Sequence, residues 1–228
     1  IKRFLFIHFK KKIIPPIHIV HRYLQAAKIL NIIDDKEGLN FFLPTNYIFN
    51  NGQVKLENTF IVFSISASYF TKKLPAHKII SIINEINFNI VLIGGKEDIN
   101  IATEITKKSI NKNIQNFVGT GTLLDSAFII KNSKAVISFD TGMQHIATAF
   151  KKKIFSIWGS TTPDLLMEPY LPFETAFENK HENFIVPNLA CQPCSVHGKN
   201  NCPKKHFNCM ELQDVSNIVS KVNGFLEK

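Results

Sequence analysis

The chain has 228 residues, 45% of them hydrophobic and 20% charged, which is the composition of a globular protein long enough to bury a core as one large domain or two small ones. No apolar run reaches the length of a membrane-spanning helix, and the first residues, Ile1-Lys-Arg-Phe-Leu-Phe-Ile-His8, lack the small-residue cleavage site of a signal peptide. The net charge of +9 favours acidic partners, such as nucleotide-sugar phosphates, an anionic membrane face or nucleic acid. Much of it lies in dispersed lysines such as Lys10–Lys12 and Lys151–Lys153, which read as solvated surface, and no helix-turn-helix or aromatic RNA-binding motif accompanies them. No nucleic-acid partner is expected.

Residues 1–45 do not read as a complete domain. Phe4–Phe9 is strand-like, Pro15-Pro16 interrupts the chain, and His18–Leu30 carries Val20, Tyr23, Leu24, Ala27 and Leu30 on one helical face. Residues 46–58 are polar and read as a linker. A start at Ile rather than Met reads as a fragment or a processed start.

From Thr59 the pattern becomes regular. Thr59–Ile65 is a buried-type strand, followed by a loop containing Ser66, Ser68, Lys72 and Pro75, then a helix over about 76–86. A lysine at the C-terminal end of a strand is well placed to neutralise a diphosphate. The strand Asn89–Ile93 runs into Gly94-Gly95, with a helix from Glu97 to Lys108. A carboxylate after such a turn, Glu97 or its neighbour Asp98, can accept bonds from ribose hydroxyls or serve the helix dipole. Asn116–Val118 forms a short strand, Gly119–Thr122 a turn, and a helix continues to about Asn132.

Ala135–Ile137 then leads into Asp140-Thr-Gly-Met-Gln-His145, with Ile146, Ala147 and Phe150 at helical spacing, before the strand-like run to Trp158. Asp140 and Thr141 are N-cap residue types, and Gly142 admits close backbone approach. The helix start presents free N–H groups that suit a phosphate, with His145 about one turn further on. Alternating strands and helices over 59–158 predict an α/β fold, a parallel sheet with helices on both faces. Ligands in such sheets sit beyond the strands' C-terminal ends, where Lys72, Glu97, Gly121 and Asp140 all fall. All four cysteines, Cys191, Cys194, Cys202 and Cys209, lie in one Lys/His-rich segment. A structural zinc site with His197 and His206 as spare ligands, disulfides, and free thiols all remain open. The closing helix over 211–223 places Leu212, Val215, Ile218, Val219 and Val222 on one face.

Asp140-Thr-Gly-Met-Gln-His145 followed by Trp158-Gly-Ser-Thr-Thr-Pro163 resembles the donor-site signature of glycosyltransferase family 9, which includes ADP-heptose:lipopolysaccharide heptosyltransferases. Gly159-Ser-Thr161 stands where the family has Gly-Pro-Thr. The resemblance implies a GT-B fold: 1–45 a remnant of the N-terminal acceptor domain, 59–190 the donor domain, 191–210 a Cys-rich loop, and 211–228 a terminal helix returning towards the missing half, its stripe partly unburied. It also implies inverting transfer of heptose from an ADP-linked donor to a lipopolysaccharide-core acceptor at the membrane surface, by a bacterial enzyme that is cytoplasmic or peripheral at the inner membrane face. No cofactor is required for that chemistry. Its donor-binding residues would be Lys72, Ser68, Glu97, Gly121, Thr122, Asp140, Thr141, Gly142 and His145. The family's general base is an Asp of the N-terminal domain, and no residue here matches it; Asp34 and Asp35 lie in a different segment. A UDP-sugar transferase or epimerase, and a zinc-binding nucleic-acid module, are the rival readings.

Overall fold

A computed structural model describes residues 2–11, 17–49, 55–56, 59–171 and 181–228. Pro15-Pro16, Pro172 and most of the linker over 50–58 lie outside the described residues. Six parallel strands form one sheet in the order β3-β2-β1-β4-β5-β6: β1 Phe60–Ser64, β2 Asn89–Ile93, β3 Ile114–Asn116, β4 Ala135–Phe139, β5 Lys153–Ile157 and β6 Glu182–Phe184. The central strands are buried on both faces, which is why they read as unbroken apolar runs rather than as alternating ones.

Side-chain alternation sends each strand into two cores. Ile61 and Phe63 of β1, Ile90 and Leu92 of β2, and Phe155 of β5 join the core beneath α3 Ala76–Glu85, α4 Ile99–Lys108 and α8 Val215–Leu226. Phe60, Val62, Val91, Val136 and Ile154 face α5 Leu123–Asn132 and α6 Gly142–Ala149 instead. Helices therefore cover both faces, as the alternation of elements predicts. On the α5/α6 side Phe41, Leu43, Phe49 and Leu56 pack against the core, so part of the segment before β1 is bound to this layer.

Two local expectations are corrected and a third is made specific. Residues 2–9 form a helix, α1 Lys2–Phe9, not a strand: only Phe6 is buried, while Phe4 and Phe9 remain exposed, so the apolar run has no sheet to join. The helix at residue 18 is α2 Ile19–Ala26, continued by a 3-10 turn over Ala27–Leu30, and Tyr23 and Leu30 of its expected face are exposed. The terminal stripe is partly unburied, as expected, and its buried part packs on this domain. Ile218, Val219 and Val222 of α8 pack into the core that α3 shares, whereas Leu212 falls between α7 Asn208–Glu211 and α8 and is exposed.

The order 3-2-1-4-5-6 reverses direction between β1 and β4. At that point the connections leave on opposite sides and open a crevice beyond the strands' C-terminal ends. Lys72 follows β1, and Asp140 to Gly142 follow β4, so the chain carries both to the same crevice.

Candidate functional site

Ser64 ends β1, and Ser138 and Ser156 pair with each other across β4 and β5. Thr141 caps α6 by accepting from the Met143 N–H at 3.3 Å, so the helix begins just past the end of β4. Gly142 is exposed, and a Cβ there would meet no protein atom within 4 Å. The space above it is open.

Asp140 is nearly buried, yet its carboxylate is well supplied with donors. Lys72 Nζ lies 2.7 Å from Oδ2, Thr161 Oγ1 donates to the same oxygen at 2.8 Å, and Gln144 Nε2 donates to Oδ1 at 3.4 Å. Burial holds the His145 imidazole below the ordinary histidine range; the Asp140 carboxylate opposes that shift, while His18 and Lys72 reinforce it. At neutral pH the ring is uncharged beside an ion pair.

The Lys72 loop is held from behind. Gly159 packs against the Thr71 carbonyl, leaving no room for a Cβ, and the Ser160 N–H donates to that carbonyl at 3.0 Å. Thr71 and Ser160 share a hydroxyl–hydroxyl bond of 2.8 Å. The Lys199 N–H donates to Thr71 Oγ1 at 2.7 Å, and the Cys194 N–H donates to the Ser160 carbonyl at 3.0 Å. Gln192 Nε2 adds a 2.6 Å bond to the Gly159 carbonyl. The Gly159-Ser-Thr161 block and the Cys-rich segment thus clamp the loop that presents Lys72.

A cavity of about 240 Å³ is lined by Ser64, Ser66, Gly94, Gly95, Gly121, Thr122 and, from the first turn of α6, Met143, among others. The Ser64 hydroxyl is fully buried and has no hydrogen-bond partner among the described residues. Gly121 and Thr122 reach the wall from the sequence-predicted set, while Lys72, Asp140 and His145 stand outside it. The Thr122 hydroxyl is committed to its helix: it accepts from the Asp125 N–H at 3.2 Å, and Asp125 answers by accepting from the Thr122 N–H at 2.7 Å. Glu97 is exposed with its carboxylate against Gly95, at the cavity's edge. Asp98, its alternative, is buried and paired to Lys73 at 2.6 Å, so it is occupied structurally. Ser68 is exposed and absent from the cavity wall.

Among the described residues no group of three or more His, Cys, Asp or Glu is arranged to hold a metal. The four thiols are free. Cys209 is buried in the α3/α8 core and its thiol is pushed up to about 12, burial being the first cause. Cys191 instead approaches His206, Sγ to Nε2, at 3.8 Å.

Sequence reading passed over Ser64, Thr71, Gln144 and Thr161. For the last three, partners are distant in the chain: Thr71 meets Ser160 and Lys199, Thr161 meets Asp140, and Gln144 meets Met167 and Ser156 as well as Asp140.

A parallel sheet in this order with helices on both faces is a doubly wound α/β domain, and solved heptosyltransferase structures share its fold. Residues 5–205 match "Glycosyltransferase family 9 (heptosyltransferase)", and the chain belongs to that family. It is 24% identical over 159 residues to lipooligosaccharide heptosyltransferase 2 of Campylobacter jejuni subsp. jejuni serotype O:6, covering 68% of this chain and 45% of that protein. The glycosyl transferase family 9 structure from Veillonella parvula DSM 2008 superposes with a TM-score of 0.69 at 15% identity, covering 99% of this chain and 66% of that one. E. coli heptosyltransferase WaaC with ADP gives a TM-score of 0.61 at 16% identity, over 93% of this chain and 58% of the other. The chain spans about half the length of the curated relatives it matches.

Proposed function

We propose that this chain is the donor-binding half of a glycosyltransferase that moves heptose, or a related sugar, from an ADP-linked donor to a lipopolysaccharide-core acceptor. The observation that carries it is the Lys72–Asp140 pair at 2.7 Å beside the start of α6. A cation and a set of free helix N–H groups then face one crevice, the combination that a diphosphate needs. Support also comes from the ADP bound in the E. coli relative named above.

In this reading the diphosphate lies over Gly142, where the backbone leaves open space, and accepts from the Thr141 and Gly142 N–H groups and from Lys72. The acceptor hydroxyl attacks the anomeric carbon from the face opposite the nucleotide. The carbon–oxygen bond to the diphosphate breaks, ADP leaves with the bonding electrons, and the configuration inverts. Lys72 and the helix N-terminus stabilise the charge that develops on the leaving oxygen. Asp140 orients Lys72 and, with His145, faces the donor sugar or its phosphate. The nucleoside occupies the cavity beside Gly94, Gly95, Gly121 and Thr122, where the unpaired Ser64 hydroxyl supplies a polar partner. Glu97, at its edge, takes the ribose, and Ser68 adds a hydroxyl contact to the donor.

The proton of the acceptor hydroxyl goes to a base that no residue here is assigned to supply, so the isolated chain is expected to bind donor without turning it over. The acceptor is lipid-linked, placing the protein in the cytoplasm at the inner membrane face; among the described residues no helix is long and apolar enough to cross a membrane. Calorimetric titration with ADP and UDP, on wild type and Asp140→Ala, tests the proposal. Binding of ADP in preference to UDP, weakened in the variant, is expected. Equal binding of both nucleotides, or a variant that binds ADP as well as wild type, overturns it.

A further inference from the structure

Behind Asp140 runs a buried polar chain that none of the roles above uses. Gln144, one turn along α6, is fully buried. Its Nε2 donates to Asp140 Oδ1 at 3.4 Å and to the Met167 carbonyl at 3.2 Å, and its Oε1 accepts from Ser156 Oγ at 3.1 Å. Both oxygens facing Nε2 belong to groups that can only accept, a carboxylate and a carbonyl, so the amide fits in one orientation. Burying an amide is unfavourable unless its polar atoms are paired, and here donor and acceptor ends both are.

The two carboxylate oxygens are loaded unequally. Oδ2 receives Lys72 and Thr161, whereas Gln144 is the side-chain partner of Oδ1. The terminal torsion of an aspartate is broad and weakly restrained by itself. Without Gln144 the carboxylate plane is free to turn about Oδ2, and the Lys72 ammonium that it holds turns with it. Ser156 fixes Gln144 from the floor of the sheet, and Met167 ties it to the loop beyond Thr162.

We propose that Gln144 is a positioning residue: it sets the plane of the Asp140 carboxylate and, through it, the place of the Lys72 ammonium at the mouth of the crevice. The ligand in this inference rests on the donor reading above; the geometry does not. A double-mutant cycle of Gln144→Met and Asp140→Asn tests it, read by urea unfolding without ligand and by ADP calorimetry. Methionine keeps the length of glutamine and removes the amide. Gln144→Met is expected to weaken ADP binding about 3–10-fold in the wild-type background and less than about twofold beside Asp140→Asn, with the same non-additivity in unfolding. Equal losses in both backgrounds reduce Gln144 to a packing residue and overturn the inference, as does an ADP affinity that Gln144→Met leaves unchanged. Should wild type not bind ADP, the donor reading fails separately, and the unfolding cycle alone decides: coupling upholds the positioning role, additivity overturns it. If Asp140→Asn does not fold, Lys72→Met replaces it in the cycle.

Discussion

Lys72 and Asp140 meet with side chains only 13% and 8% exposed, so neither charge can turn to water when its partner is removed. Lys72→Met leaves a buried carboxylate with neutral donors only and is expected to destabilise the fold by about 3–5 kcal/mol. Adding Asp140→Asn removes the stranded charge and should recover part of that loss, which urea unfolding of the single and double variants will show. His145 makes a pH prediction whose sign follows from burial. Its folded pKa lies below the ordinary value of 6.5, so under mildly acidic conditions the unfolded chain binds the extra proton first. Stability is therefore complete above about pH 6.5 and falls as the pH drops towards the folded value, with His18 contributing in the same direction through its own burial. His145→Gln should flatten part of the fall in unfolding midpoint between about pH 7 and pH 5. The residues of the ion pair were legible in the sequence because a lysine after one strand and a capped Asp-Thr-Gly after another have chemistry written into their positions. The roles of Gln144 and Ser64 were not, since what each faces, Asp140, Met167 and Ser156 for the one and the cavity wall for the other, is set by the folded chain.

Elements repeat that division on a larger scale. β1, β2, β4 and β5 were readable because strands covered on both faces need apolar residues throughout, and α6 because helical apolar spacing and an N-cap residue mark it. The run Phe4–Phe9 has the same apolar density as a strand, but its one buried residue is Phe6, and nothing local in the sequence distinguishes a short apolar helix from a strand. β6 escaped notice because three residues, with Phe184 alone buried, carry too little pattern; what makes Glu182–Phe184 a strand is the free edge of β5. α8 was recognised as an amphipathic helix, but its partner was not. That helix supports the sheet directly: Ile218 and Val222 are fully buried in the core shared with α3. Ile218→Ala is expected to cost about 2–5 kcal/mol, while Leu212→Ala, at a side chain that is 57% exposed, should fall within about 0.5 kcal/mol of wild type by chemical denaturation.

At the scale of the molecule, the crevice is a product of topology. No single loop makes it; β1 and β4 lie side by side because the chain first builds outwards to β3 and then crosses back, and their two loops face each other only in that order. The folded sheet is therefore a precondition for the charged pair, and a ligand held by it binds the folded chain and not the unfolded one. Such a ligand stabilises by mass action, by about 2.7 kcal/mol when present at a hundred times its dissociation constant. For a chain of 228 residues that corresponds to a rise in Tm of about 5–10 °C. The net charge of +9 adds attraction to a diphosphate beyond the crevice itself, and salt screens that part within about 8–10 Å at 0.10–0.15 M. Thermal melts with ADP are thus expected to show the full rise at low salt, a smaller rise at about 0.5 M salt, and almost none for Asp140→Ala. A rise that ignores salt and survives Asp140→Ala would place the nucleotide away from the β1/β4 mouth.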